Sequence, residues 1–381
     1  MENCENNQGN SERLDKDFSS DAKHLDDTKT EQTKEESESS VNKEAKCDKI
    51  YTSVGKIDMN VTCRRKITIL AHQLKRLSHE GSMDKFNAIV TRINDRYKAK
   101  KPKLGMCVPS YMGVNDIRFT VLDAQIEARR LKYDTNLTDS DMFGEMEKII
   151  KFTSNPTSSS MTYLARRGSA LSMKTTLDNG LAYLQFAKQH SIQISPCKDT
   201  GMVFYINANL LSQKFELNPS AEMKKELLET IEHAMAHFEK EIDDVRSDYS
   251  RMLMLKKAYC YLGLNLFGKK IQEISVSEDD RKSAKNCLDF IEKPDIWKRM
   301  ESRRKMLYHI AKAEYYRQGQ LFESSLMHGK IAFMFAQENS WTAELPNIID
   351  LINDVESASP KAAGDDDTDD ELIEQLLSTG I

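Results

Sequence analysis

Two well-separated segments of this chain carry small and large side chains at one shared set of spacings. Gly168, Leu171, Gly180, Leu184 and Ala187 follow one another at offsets of 3, 9, 4 and 3, and Ala313, Tyr316, Ser325, Gly329 and Ala332 repeat those offsets. A third set is present in two halves: Ala258 with Tyr261, then, after a longer loop, Ala284, Leu288 and Ile291. Offsets of 3 and 4 keep side chains on one helix face, and the longer step crosses a turn. The spacing therefore predicts helix hairpins. A small residue in the middle of the first helix admits the second, a small residue early in the second returns the favour, and larger side chains fill the gap. Repeating such a unit lets each hairpin cover its neighbour's apolar face.

Helical periodicity runs from about residue 59 to about 356, and no convincing strand run interrupts it. Gly and Pro, at 15 and 8 of 381 residues, are too scarce for a turn-rich β fold. We place helices near 61–79, 82–98, 114–133, 139–153, 159–172, 175–190, 201–216, 220–241, 245–267, 278–292, 297–317, 321–338 and 343–355. Starts are signalled by Asp139 or Ser140, by Ser220, and by Ser277 ahead of Glu278, Asp279 and Asp280. Stops are expected at Gly81, Pro156, Pro196, Pro219, Gly268 and Pro294. The predicted fold class is all-α: an antiparallel helix-pair solenoid with disordered termini. Its parts are an acidic N-terminal region (1–50), a basic helical part (59–155), the repeats proper (156–356) and an acidic C-terminal tail (357–381).

Charge is distributed unevenly. Residues 1–50 hold 8 basic and 14 acidic side chains, and residues 357–381 hold one Lys against 7 acids. The overall charge is −5, so the body between the tails is basic. Segment 1–50 has almost no aliphatic side chains and cannot bury enough apolar surface to offset its ordering entropy. No stretch has the basic n-region and apolar h-region of a secretory signal, and none is apolar for long enough to predict a membrane span. The seven cysteines are scattered with no CxxC pair, which predicts free thiols in a reducing, cytoplasmic setting where the sequons at Asn60 and Asn136 go unused.

With these features the chain resembles the tetratricopeptide-repeat family, whose pattern places small residues at the eighth, twentieth and twenty-seventh positions and an aromatic at the eleventh. AKAEYYRQGQLFESSLMHGKIAFMFA (311–336) carries the likeness best, supported by NGLAYLQFAKQH (179–190) and MLMLKKAYCYLGL (252–264). The likeness covers about 160–340 and is weak over 59–155. Gly168, Ala208, Ala258 and Ala313 stand 40 to 55 residues apart, beyond the family's usual repeat of about 34, and the proline expected after the second helix is missing from the best repeat. The resemblance implies a concave groove, lined by the first helix of each pair, that receives a peptide or protein segment. Carried over by position, its lining would include Thr162, Ser169, Met173, Tyr259, Glu314, Arg317 and Gln318.

Nothing in the sequence predicts catalysis, a cofactor or a small-molecule substrate. GxxxxGK[ST], GxGxxG and GxSxG are all absent. His233 and His237 share metal-ligand spacing on one helix but lack the HExxH order and a third ligand, so a partly exposed helical pair is expected. Basic residues cluster in CRRK (63–66), LKRL (74–77), RINDRYKAKKPK (92–103), ARRLKY (128–133) and ARRG (165–168). Arg64, Arg65, Lys66, Arg129, Arg130, Arg166 and Arg167, near Tyr97, Tyr111, Tyr133 and Tyr163, are candidates for phosphate contact and base stacking. A solvated helix face, or an intramolecular dock for the acidic tails, is the plainer reading of the same residues. A basic interior in long-looped repeats gives a weaker likeness to the interferon-induced tetratricopeptide proteins, which implies RNA as an alternative partner. Leu372, Ile373, Leu376 and Leu377 sit at helical spacing beside the acid run of the tail, a pattern that suits a short partner-binding helix or a merely solubilising end.

Overall fold

The computed structural model describes residues 53–99, 109–174, 176–272 and 274–359. The chain divides at Arg65 into two units, and the account below is of the second, from Lys66 on. The described residues are almost wholly helical. They form α1 (Ser53–His79), α2 (Met83–Ala99), α3 (Pro109–Leu131), a 3-10 turn (Thr135–Asp139), α4 (Asp141–Ile150), α5 (Pro156–Lys174), α6 (Leu177–Ser191) and α7 (Lys198–Leu217). There follow α8 (Ala221–Phe238), α9 (Asp243–Leu262), α10 (Glu278–Ile291), the single turn α11 (Pro294–Trp297), α12 (Ser302–Gln318), α13 (Phe322–Glu338) and α14 (Leu345–Ala358). Among the described residues there is no strand, only an isolated bridge between Leu264 and Lys270. None of these helices is long and apolar enough to cross a membrane. The N-terminal region 1–50 and residues 360–381 of the expected tail lie outside the described residues, whereas Ser357 and Ala358, expected in the tail, continue α14.

Local chemistry explains several boundaries. Ser140, Ser220 and Ser277 accept from the backbone N–H of Met142, Met223 and Asp280, which satisfies orphan donors at the starts of α4, α8 and α10. Four expected boundaries are corrected. Pro156 and Pro294 open helices instead of closing them, because a first-turn proline needs no N–H partner and its ring fixes a helical φ. The helix expected over 245–267 ends at Leu262, where Gly263 turns left-handed at φ +67°. The helix expected over 297–317 is two pieces, and the break leaves Glu301 as the buried N-cap of α12.

Packing follows the small-residue pattern. α5 and α6 meet at Gly168 and Gly180, with no room for a Cβ on either. In α12 and α13 the Ser325 hydroxyl donates to the Ala313 carbonyl at 2.8 Å, and Ala332 is fully buried. Ala258 of α9 and Ala284 of α10 are likewise fully buried. The first helix of each hairpin also touches the first helix of the next: α5 meets α7, α7 meets α9, α9 meets α12 and α12 meets α14. Two large apolar clusters result, one from α5 to α9 around Leu184, Ile206, Ile231 and Phe238, the other from α9 to α14 around Leu262, Leu288, Ile310 and Ile348. Smaller clusters tie α3 to α4 through Leu122, Ile126, Phe143 and Met146, and α1 to α2 and α3 through Leu74, Phe86 and Val121.

Candidate functional site

The first helices present a charged face to one another and to α1. On α3, Asp123, Glu127 and Arg130 fall at helical spacing on one side. Arg166 of α5, only 2% exposed, donates its Nε to Asp123 at 2.6 Å and its Nη1 to Glu127, which also takes Arg130 at 2.7 Å. On α9, Asp248 binds Arg251 at 2.6 Å, and the same Arg251 reaches Glu301 at 3.0 Å. Arg303 of α12 pairs with Glu344 just before α14. Charges this deep are tolerated only where each finds a partner.

Helix α1 completes this face. His72 Nε2 lies 2.5 Å from Asp248 Oδ2, and the Lys75 ammonium sits 4.0 Å above the Tyr249 ring and 3.8 Å from Asp248. Burial works against the charge on Asp248, but the His72 hydrogen bond and the charges of Lys75 and Arg251 hold its pKa down to about 2. Glu301 is held to about 2 in the same way by Arg251, Lys75 and His79. Burial lowers Lys75 to about 8 against the pull of Asp248 and Glu301. Burial and the nearby Arg304 charge push His79 well below the usual imidazole range.

Two cavities lie within this charged layer. The first, about 40 Å³, is bounded by Lys75, His79, Asp123, Glu127, Arg166 and Tyr249. Neither ring nitrogen of His79 has a hydrogen-bond partner there, and neither does Lys75 Nζ. The second, about 60 Å³, is bounded by Arg130, Tyr133, Tyr205, Lys256, Arg303 and Arg304 among others. Tyr205 and Met252 line both and form the wall between them. Lys256 donates to Asn209 Oδ1 and stands 4.8 Å from the centre of the Tyr205 ring, while Arg304 Nη2 donates to the Tyr205 hydroxyl at 3.3 Å. Desolvation, then the charges of Arg304 and Arg130, lower the Lys256 pKa well below its ordinary value.

The residues expected from the family's groove have the following surroundings. Tyr259 borders the second cavity, but it is buried and its hydroxyl donates to the Leu307 carbonyl at 2.8 Å. Glu314, 1% exposed, is taken up by Arg317 and Gln318, both at distances of 2.7 to 2.8 Å. Ser169 is buried in α5, and Thr162 and Met173 are half-buried. Glu314, Arg317 and Gln318 are thus brought together, and of the seven Tyr259 borders the second cavity.

Of the candidate basic residues, Arg130 and Arg166 converge on Glu127. Arg129 turns to Asp134 at 2.5 Å, and Arg167 lies over the Phe143 ring at 5.1 Å. Arg65 and Lys66 are exposed on α1; Arg64 is in the same helix, but its side chain lies outside the described residues. Leu372, Ile373, Leu376 and Leu377 also lie outside them. His237 bonds Thr200 Oγ1 at 2.7 Å and packs on Phe204, a structural role. Among the described residues no three metal-ligating side chains gather.

Sequence reasoning missed His72, Lys75, Asp248, Arg251, Lys256, Glu301 and Arg304. For Arg304 one signal existed: SRRKMLYHIAKAEYYRQ (302–318) carries charge around most of its circumference, which is unusual for a helix with one apolar and one solvated face. No protein-family model, no curated protein and no solved structure matches this chain.

Proposed function

We propose that the chain is a non-catalytic adaptor, a divergent tetratricopeptide-like solenoid whose first-helix face holds a segment of a protein partner. The single observation that carries this reading is the charged layer shared by α3, α5, α7, α9 and α12. A core that served only stability would be apolar at these positions, because buried ion pairs seldom improve on well-packed hydrophobic residues. A row of fixed donors and acceptors along successive first helices supplies directional contacts to a bound chain. α1 already uses that face through His72 and Lys75, so it displays in cis the contacts a partner segment would make.

The test is selection of peptides on the full-length protein, followed by affinity measurement on variants. Asp248→Asn and Tyr249→Ala are expected to weaken selected peptides about tenfold or more, the loss of one charge-assisted contact. Lys225→Ala, on the exposed side of α8, is expected to leave them unchanged. Peptides indifferent to the first two substitutions would move the site off this face and end the reading.

RNA is the second reading. It draws on the exposed Lys66 and on the cations around the second cavity, whereas Arg130 and Arg166 spend their charge on Glu127. RNA binding that falls steeply with salt would favour it. Absence of binding at low salt would remove it.

A further inference from the structure

The second cavity is unbalanced in charge. Four cations border it, Arg130, Lys256, Arg303 and Arg304, and no carboxylate does. Two of the four are answered from behind the wall, Arg130 by Glu127 and Arg303 by Glu344. The other two have no carboxylate at ion-pair distance, although Glu127 pulls on Lys256 and Arg304 acts on Glu344 from farther off. Lys256 has only the Asn209 amide oxygen and the face of Tyr205, and Arg304 has only the Tyr205 hydroxyl. Arg304 is 7% exposed and its Nε has no hydrogen-bond partner. Both cations therefore lack the ion pair that every other buried cation of this layer has found, and they repel each other across the cavity.

We propose that this cavity is a binding site for a phosphate dianion, held between Lys256 and Arg304 with the Tyr205 hydroxyl donating to it. Charge fits, because two unanswered cations call for two negative charges, where a carboxylate brings one. Size fits as well. About 60 Å³ is room for roughly four or five waters, as many heavy atoms as one phosphate contains. Chemistry fits in kind, since a guanidinium fork grips two phosphate oxygens at once and an ammonium serves the third as a compact charge. Tyr205 accepts from Arg304, which leaves its own proton to give. Lys256, Arg130 and Tyr133 are half-buried, so this end of the cavity faces solvent and admits an ion. An anion at this point also offsets the desolvation that lowers the Lys256 pKa. The inference is independent of whether the charged face holds a protein segment.

Thermal unfolding and calorimetry of the full-length protein test it, with inorganic phosphate, glycerol phosphate, acetate and chloride compared at matched ionic strength. Inorganic phosphate is expected to raise Tm saturably, while acetate and chloride do not. Lys256→Met and Arg304→Met are each expected to lower phosphate affinity roughly tenfold or more, as for loss of a charge-assisted hydrogen bond. Without phosphate both variants should be at least as stable as the parent, because each removes an unpaired buried charge. Lys256→Gln, which can still donate to Asn209 and loses only the charge, repeats the test without relying on methionine packing. Glycerol phosphate binding as well as phosphate assigns the site to phosphomonoesters, and its failure assigns it to the free ion. An equal Tm rise in chloride, or a phosphate response undiminished in all three variants, overturns the proposal.

Discussion

A methyl group on Gly168 would stand 2.7 Å from the carbonyl oxygen of Gly180, and one on Gly180 would stand 2.7 Å from the carbonyl oxygen of Gly168. The two helices touch backbone to backbone, and neither side can yield. Gly168→Ala and Gly180→Ala are each expected to destabilise by about 1–3 kcal/mol, the usual cost of overpacking a close contact. Gly144→Ala, in α4 with nothing within 4 Å of its missing Cβ, is expected to stabilise by roughly 0.5–1 kcal/mol. Urea titration of the three variants checks the sign at each site.

Acid should loosen the α12–α13 hairpin before it reaches the carboxylates. His309 Nδ1 and His328 Nδ1 lie 2.8 Å apart, so the pair shares one proton between the two nitrogens. Burial, then the neighbouring His328, holds His309 well below the ordinary value of 6.5, and burial, then Lys312, brings His328 to about 4. The unfolded chain takes up these protons near pH 6.5. The stability the pair contributes is therefore complete above that pH and lost as the pH falls through 6.5 toward 4. The urea midpoint should fall between pH 7 and pH 5, and His328→Gln should flatten that slope. Asp248 and Glu301, held near 2 in the fold, act in a separate window below about pH 4.5. A slope that His328→Gln leaves unchanged would sink the assignment to this pair.

Paired and unpaired cations of the charged layer should respond oppositely to removal. Arg166→Met strands Asp123 beside a Glu127 that keeps only Arg130. Breaking a buried ion pair from one side costs about 3–5 kcal/mol. Chemical denaturation should show that loss, in contrast to the neutral or stabilising effect expected of Lys256→Met.

The described thiols should separate cleanly in a labelling experiment. Cys260 and Cys287 are buried, and burial pushes them up to about 12 and about 11. Cys197, at the N-cap of α7, is half-buried. Iodoacetamide on the native protein, read peptide by peptide, should modify Cys197 and reach Cys260 and Cys287 only after unfolding. Labelling of Cys260 in the native state would show that the α9–α10 interface opens.

Helix hairpins were legible in the sequence because their contacts are written in residue size at short separations. Gly168 with Gly180, and Ala313 with Ser325, lie within one hairpin, and capping serines such as Ser220 and Ser277 act on the next turn. The charged layer was not legible in this way. Periodicity assigns charged positions to the solvent side, and that rule fails when a charge is neutralised by one far along the chain. Arg166 with Asp123 and Glu127, Arg251 with Glu301, and Arg303 with Glu344 are each separated by 39 to 50 residues, which is about one hairpin. Reading them requires knowing that successive first helices touch. Pro156 misled for another reason: a proline marks a helix end without saying which one.

The bond between His72 and Asp248 joins positions 176 residues apart. A chain emerging from the ribosome presents α1 long before α9 has been made. The middle hairpins can assemble as soon as both of their helices exist, since each needs only its sequence neighbour. His72, Lys75 and His79 must wait, and the charged face stays open to water until α9 and the start of α12 arrive. Closure of that long loop is entropically slow and comes late. Once made, it binds the earliest and the later parts of the chain into one cooperative transition, where an array held only by neighbours would peel from its ends.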